Sequence, residues 1–95
     1  MPEMRFRVRW PDASVSRCYS PSLVVKDYLQ PGTAYPLVDF VQRSRTALVR
    51  ASDRVQQKYG FPCSRALGQL AEIEDQAARF AGQPGAQVWV EGFEE

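Results

Sequence analysis

The chain has 95 residues, of which 44% are apolar and 24% are charged, and its net charge at pH 7 is +1. These values are typical of a single small globular domain with one core, and we take residues 1–95 as that domain. The chain contains no histidine, which excludes a Ser-His-Asp triad, a Cys-His pair and a histidine-ligated metal. Its two cysteines are too few for a Cys₄ zinc site. We therefore expect neither a metal nor a cofactor.

The expected compartment follows from the hydropathy pattern. No stretch approaches the roughly 20 apolar residues of a membrane-spanning helix, and the first residues run into an alternating pattern without an apolar signal-peptide stretch. We therefore expect a cytoplasmic protein with no membrane association, in which Cys18 and Cys63 are free thiols. A pI near 7.8 is well below that of a typical nucleic-acid-binding domain, so DNA or RNA is not an expected partner.

An N-terminal hairpin is the clearest structural signal. Apolar and arginine side chains alternate from Met4 to Trp10, and a period of two is typical of a half-buried strand. Proline and aspartate make residues 11–14 a turn. Residues 15–19 are then predicted to form the returning strand.

A short helix and a loop are predicted to follow the hairpin. Ser20-Pro21 favours a helix start, because serine caps helices and proline suits the first helical position. The helix is predicted over residues 22–29, and residues 30–35 are predicted to be a loop.

Two longer helices are predicted next. The apolar spacing from Pro36 onward predicts an amphipathic helix of about six turns, which Gly60 is placed to end. The following helix is predicted to bury one apolar stripe: Ala66, Leu67, Leu70, Ile73, Ala77 and Phe80. Its acidic residues Glu72, Glu74 and Asp75 are expected to form a solvated helix face.

A last strand at residues 86–90 completes the predicted order β-β-α-α-α-β, and residues 92–95 are expected to be a fraying tail. The predicted fold is a two-layer α+β domain. Its three-stranded, mainly antiparallel sheet consists of the N-terminal hairpin plus the C-terminal strand and is covered by a helical hairpin. Whether the last strand pairs with the first or the second strand stays open. The exposed edges of such a sheet also leave a homodimer open.

Three arginines form the first candidate site. Arg5, Arg7 and Arg9 share one face of the first strand, and guanidinium groups suit a carboxylate, a phosphate or an acidic protein. Because three like charges in a row repel, a bound anion or partner would relieve them. The alternative is an ordinary solvated face with Glu91 opposite on a neighbouring strand. In the same way, the basic first half and the acidic last residues either neutralise each other across the fold or mark a partner-binding surface.

The turn around Ser20 and Ser22 is the second candidate site. Free N–H groups at a helix start, flanked by two hydroxyls, form a potential anion site. A nucleophilic role would need Lys26 or a carboxylate as the base, since histidine is absent. The alternative is that both serines only cap the helix.

Cys63 is the third candidate, at the predicted start of the last helix. The helix dipole favours the thiolate there, which predicts a reactive thiol. The alternative is a packing role, because a buried cysteine usually behaves as a small hydrophobe.

Three strings carry a resemblance to a known family: MRFRVRWPD at residues 4–12, CYSPSLVVKDY at 18–28 and KYGFPCS at 58–64. From Met1 to about Phe80 the chain resembles the small bacterial nitrogen-starvation-response proteins encoded in nitrilase-containing gene clusters. Those clusters typically also encode a nitrilase, a radical-SAM protein, an acetyltransferase-like protein and a flavin-dependent oxidoreductase. The resemblance implies a cytoplasmic accessory role in the use of nitrile or cyanide nitrogen, and it supplies no catalytic residue.

The sequence and the resemblance together favour a protein without catalysis of its own. We expect it to bind or regulate a protein of the nitrilase gene cluster, through Arg5, Arg7 and Arg9 or through an exposed sheet edge. The alternative is a small-ligand-binding or thiol-reactive protein that uses the turn at Ser20–Ser22 and Cys63.

Overall fold

The computed structural model describes residues 2–95. Its elements are strands β1 (Met4–Arg9), β2 (Val15–Ser20), β3 (Thr33–Pro36) and β4 (Gln87–Glu94), helices α1 (Leu37–Tyr59) and α2 (Ser64–Ala78), and a 3₁₀ helix (Leu23–Asp27) between β2 and β3. The strands form one antiparallel sheet in the order β2-β1-β4-β3. Both α-helices pack on the same face of this sheet, so the predicted α+β class is confirmed. None of the helices among residues 2–95 is long and apolar enough to cross a membrane.

The sheet has one strand more than predicted, because residues 33–36 form β3 instead of lying in a loop. Tyr35 pairs with Val88 of β4 and is buried, and the Gly32 N–H donates to the Val90 carbonyl at 2.8 Å. Pro36 fits here because β3 is an edge strand, where a missing N–H need not cost a ladder hydrogen bond. The strand exists through its pairing with β4, which lies far along the chain, so the local sequence pattern did not reveal it.

The last strand is longer than predicted and includes the expected fraying tail. β4 pairs with β1, and the register shifts by one residue at Glu91, since Arg7 pairs with Gly92 whereas Val8 pairs with Val90. Side chains alternate between the two faces of a strand, so this β-bulge exchanges the faces of the residues that follow it. Phe93 therefore packs against the core, and Glu94 lies on the opposite face.

The short helix predicted over residues 22–29 is a 3₁₀ helix of five residues. Ser22, not Ser20, is its N-cap, and the Ser22 Oγ accepts a hydrogen bond from the Val24 N–H. Val24 and Val25 are buried, and β-branched residues are weak helix formers. These features, with Pro31 shortly after, explain why the segment does not extend into an α-helix.

The helical hairpin agrees with the prediction at both ends of α1. The helix ends at Tyr59, and Gly60 follows in the left-handed conformation with φ 88°, its N–H bonded to the Gln56 carbonyl. In α2 the predicted buried stripe is correct except at Leu67, whose side chain is 42% exposed. Tyr59, the last residue of α1, is also exposed.

Aromatic rings join the sheet to the helices at one end of the core. Trp10 packs edge-on against Phe40 with ring centroids 5.6 Å apart and stacks on Phe80 at 6.1 Å. The Trp10 Nε1–H donates to the Ser16 Oγ at 2.9 Å, so its polar group is satisfied. The helices thus cover one face of the sheet, and the other face is left for solvent or a partner.

Candidate functional site: the open face of the sheet

The face of the sheet that points away from α1 and α2 carries the predicted arginine row and further side chains from all four strands. We call it the open face. It comprises Arg5, Arg7 and Arg9 of β1, Val15, Arg17 and Tyr19 of β2, Ala34 of β3, and Trp89, Glu91 and Glu94 of β4.

The charged side chains of the open face form an alternating network. Arg9 binds Glu91 through Nε at 2.8 Å and Nη2 at 2.7 Å, and Arg7 approaches the same carboxylate at 3.4 Å. Glu94 bonds to Arg17 through Nε at 3.1 Å and Nη2 at 2.7 Å and lies 3.7 Å from the Arg7 Nη1. The basic N-terminal strands and the acidic C-terminal strand therefore pair across the sheet, with Glu91 opposite the arginines as one alternative anticipated.

These ion pairs stabilise the charged forms of their members. The hydrogen bond from Arg17 lowers the pKa of Glu94, and the same contact raises the pKa of Arg17. The two side chains are 59% and 39% exposed, and pairs in contact with solvent contribute little to stability. The network is therefore charged but held weakly enough to exchange partners.

An apolar row crosses the sheet at one end of the open face. Arg9 lies between Val15 and Trp89, and Trp89 lies beside Ala34. Val15 is 44% exposed and Trp89 is 48% exposed. Tryptophan and arginine are among the residue types enriched at the energetic hot spots of protein interfaces.

Tyr19 lies at the opposite end of the open face, between two guanidinium groups. The Cζ of Arg65 is 3.9 Å from the ring centroid and that of Arg5 is 5.6 Å from it, a cation–π arrangement. The Tyr19 Oη donates to Glu3 at 3.2 Å. Burial raises the pKa of Tyr19, and the bond to Glu3 raises it further, so the phenol stays protonated at neutral pH.

The structure brings Ser20 and Ser22 together, but not with the arginine row. Ser20 pairs with Met4 in the sheet, and both residues are buried. The Ser20 Oγ donates to the Ser22 carbonyl at 2.7 Å, and the Ser22 Oγ accepts from Val24 at 3.3 Å. Both hydroxyls thus form local hydrogen bonds of the turn, but only Ser22 caps the 3₁₀ helix. Arg54 reaches the Ser22 Oγ at 3.5 Å.

The two thiols occupy different environments, and both are free. Cys63 is the N-cap residue of α2, half-buried against the core, and its N–H donates to the Ser52 Oγ at 3.0 Å. Cys18 is fully buried, and burial raises the pKa of its thiol to about 12. Any thiol chemistry is therefore confined to Cys63.

The acidic helix face behaves as an ordinary surface. Glu74 forms an ion pair with Arg45 of α1. Within residues 2–95, no group of three or more cysteine, aspartate and glutamate side chains is arranged to hold a metal ion.

Sequence reasoning missed six members of the open face: Val15, Arg17, Tyr19, Ala34, Trp89 and Glu94. The signal for Trp89 was present, because it alternates with Val88 and Val90, which are buried. Glu94 carried no such signal, since only the shift of register at Glu91 brings it to this face.

Comparison with known proteins assigns the chain to a family. No curated protein and no solved structure matches the chain. One family model does match, that of the nitrogen starvation-induced protein NitG, and it covers residues 5–93, from Arg5 at one end of the open face to the core residue Phe93. Because the match spans nearly the whole chain, the protein belongs to the NitG family of nitrogen starvation-induced proteins.

Proposed function

We propose that this protein is a non-catalytic accessory protein that binds a protein of the nitrilase gene cluster in the cytoplasm when nitrogen is limiting. Family membership supplies the nitrogen-starvation context. The observation that supports a binding role is the open face, on which Trp89 is 48% exposed beside the side chain of Arg9.

The chemistry of the open face suits recognition better than catalysis. General acid–base catalysis works best with a group whose pKa lies near neutrality. Here the pKa of Glu94 is lowered by its arginine neighbours and that of Tyr19 is raised by burial, so neither exchanges protons readily near pH 7. The guanidinium groups of the arginines instead provide directional hydrogen bonds, and the exposed indole of Trp89 provides apolar contact area, for binding another protein.

The open face is also better suited to a partner than the sheet edges are. On β2, the N–H of Tyr19 already donates to the Gln69 side chain of α2 at 3.0 Å. On β3, the strand is four residues long and ends in Pro36, which lacks an N–H to donate. Short, proline-bearing or covered edges resist strand addition.

The test is binding of the purified protein to each of four purified cluster proteins: the nitrilase, the radical-SAM protein, the acetyltransferase-like protein and the flavin-dependent oxidoreductase. We expect one of them to bind, and Trp89→Ala to weaken that binding roughly 30-fold, as for an interface hot spot of about 2 kcal/mol. Val38→Ala is the matched control, because Val38 is 70% exposed and lies at the start of α1. Circular dichroism and thermal unfolding establish that both variants fold.

The proposal is wrong if none of the four proteins binds, or if Trp89→Ala and Val38→Ala bind equally well. A protein that associates only with itself in sedimentation velocity would instead support the homodimer. If no complex forms, the thiol-reactive alternative is tested by the alkylation rate of Cys63, with Cys63→Ala as the blank.

A further inference from the structure

We propose that the partner presents an acidic protein surface, and that Glu91 and Glu94 occupy in the free protein the positions that the partner's carboxylates take in the complex. This inference rests on the proposed function, because it concerns the occupant of the same open face.

The charge balance of the open face favours an acidic occupant. Four arginines (Arg5, Arg7, Arg9 and Arg17) share the face with two glutamates. At the end near Tyr19, Lys26 pairs with Glu95, the Tyr19 hydroxyl binds Glu3 and Arg65 lies over the Tyr19 ring. Among the strand residues that define the open face, the arginines exceed the glutamates by two charges, and a surface complementary to them is negative.

The same balance argues against a second copy of the chain. Stacking two open faces would place one net positive surface against another, and like-charge contact at an interface is costly. Within each copy, Arg7 already lies directly opposite Arg17 on the neighbouring strand. Arginines from a second copy would add to this repulsion between positive charges.

A nucleic acid also fits the open face less well than a protein does. The apolar row of Val15, Trp89 and Ala34 suits the apolar side chains of a protein surface. The net charge of the whole chain is only +1, whereas nucleic-acid-binding domains are strongly basic.

The internal ion pairs show that the arginines are already arranged to receive carboxylates. Arg17 holds Glu94 through two N–H groups, one to each carboxylate oxygen, at 3.1 and 2.7 Å, which is the bidentate geometry of carboxylate recognition. Arg5 forms no salt bridge within 4.0 Å among residues 2–95, and its Cζ lies 5.6 Å from the centroid of the Tyr19 ring. The face thus offers one unoccupied guanidinium and others whose partners can be exchanged.

Exchange of Glu94 costs little in the free protein. Its side chain is 39% exposed and it is the last residue of β4, so it can move aside without disturbing the core. An exposed ion pair contributes little to stability. Close charge pairs across a protein interface can couple more strongly than exposed pairs within one protein.

The test uses variants that remove the internal carboxylates. Glu94→Gln keeps the shape of the side chain and deletes its charge, so we expect the cluster protein to bind about fivefold more tightly, the equivalent of one exposed ion pair. Glu91→Gln is expected to act in the same direction, and Arg17→Gln is expected to weaken binding. The matched control is Glu74→Gln, which removes an exposed ion pair on the helical side of the molecule and should leave the affinity unchanged.

A defined probe tests the acidic surface independently of the partner's identity. The probe is a synthetic twelve-residue Asp/Glu-rich peptide, titrated at low ionic strength and followed by the fluorescence of the exposed Trp89. We expect it to bind, to bind more tightly to Glu94→Gln, and to lose affinity as NaCl is added. A lysine-rich peptide of equal length should not bind, and a single-stranded oligonucleotide of equal charge should bind more weakly than the acidic peptide.

Each outcome separates the inference from the proposed function. If a cluster protein binds and Trp89→Ala weakens that binding as expected, but Glu94→Gln weakens it or matches Glu74→Gln, the inference is wrong while the proposed function stands. If no cluster protein binds but the acidic peptide binds with the expected variant order, the acidic occupant is supported and the proposed partner class is wrong. Tighter binding of the oligonucleotide or the lysine-rich peptide overturns the inference. Glu94 lies at the end of its strand, so Glu94→Gln remains informative even if Glu91→Gln disturbs the β-bulge.

Discussion

Cys18 provides a test of the core because its buried thiol stays protonated in the pH range in which the unfolded chain's thiol loses its proton. The residue pairs with Phe6 in the sheet and has no exposed surface. Burial, with a smaller contribution from the charge of Glu72, raises the pKa of the Cys18 thiol from its ordinary value of 9.0 to about 12. We therefore compare how the free energy of unfolding changes from pH 7.5 to pH 10.5 in the wild type and in Cys18→Ala.

The sign of the effect follows from proton binding. Between pH 9 and pH 12 the native state keeps the Cys18 proton while the unfolded chain has released it, so the free energy of unfolding falls as the pH rises. The contribution is fully present below pH 9 and is lost at about 1.4 kcal/mol per pH unit above it. We expect a loss of about 1.4 kcal/mol at pH 10 and about 2 kcal/mol at pH 10.5, relative to pH 7.5.

The assay is urea unfolding at a series of pH values, followed by far-ultraviolet circular dichroism. Cys18→Ala removes the titrating group, so its stability should fall less steeply than that of the wild type, and the difference between the two proteins should change by the amounts above. Val25→Ala, which truncates a buried side chain that carries no ionisable group, is the control and should follow the wild-type pH dependence. A difference between the wild type and Cys18→Ala that stays constant from pH 7.5 to 10.5 would refute the argument that Cys18 is buried as a protonated thiol.

Two further substitutions test individual features of the helices. The Ser44 Oγ is buried in α1 without a hydrogen-bond partner among residues 2–95, so Ser44→Ala should raise the free energy of urea unfolding by about 1 kcal/mol; a clear decrease would indicate that the hydroxyl is satisfied. Gly60 has φ +88° and no heavy atom within 4 Å of an added Cβ, so Gly60→Ala should cost about 1–2 kcal/mol from backbone strain alone. No loss in thermal or urea unfolding would contradict the left-handed cap at the end of α1.

The candidate site was predictable in part. Alternation placed Arg5, Arg7 and Arg9 on one face, and Glu91 was anticipated opposite them. The network that these residues form also contains Glu94, which could not be assigned to this face by counting along the strand. Without the shift of register, Glu94 would share the face of Val90, which is buried.

The turn at Ser20 and Ser22 shows how tertiary contacts change the interpretation of a local motif. Ser20-Pro21 has the composition of a helix start, yet Ser20 ends β2 because it pairs with Met4 across the sheet. The cap therefore moves two residues on to Ser22. Local propensity correctly indicated a capped turn, and strand pairing decided where it begins.

The sequence by itself determined the elements whose signals are local. The hairpin followed from an alternation within residues 4–10, and the end of α1 followed from Gly60, which adopts the left-handed conformation that glycine tolerates best. The tertiary structure alone decided that Thr33–Pro36 is a strand, that β4 extends to Glu94 and that β4 pairs with β1. Those features depend on hydrogen bonds between segments that are distant along the chain, and the local pattern of a segment does not specify which strand it pairs with.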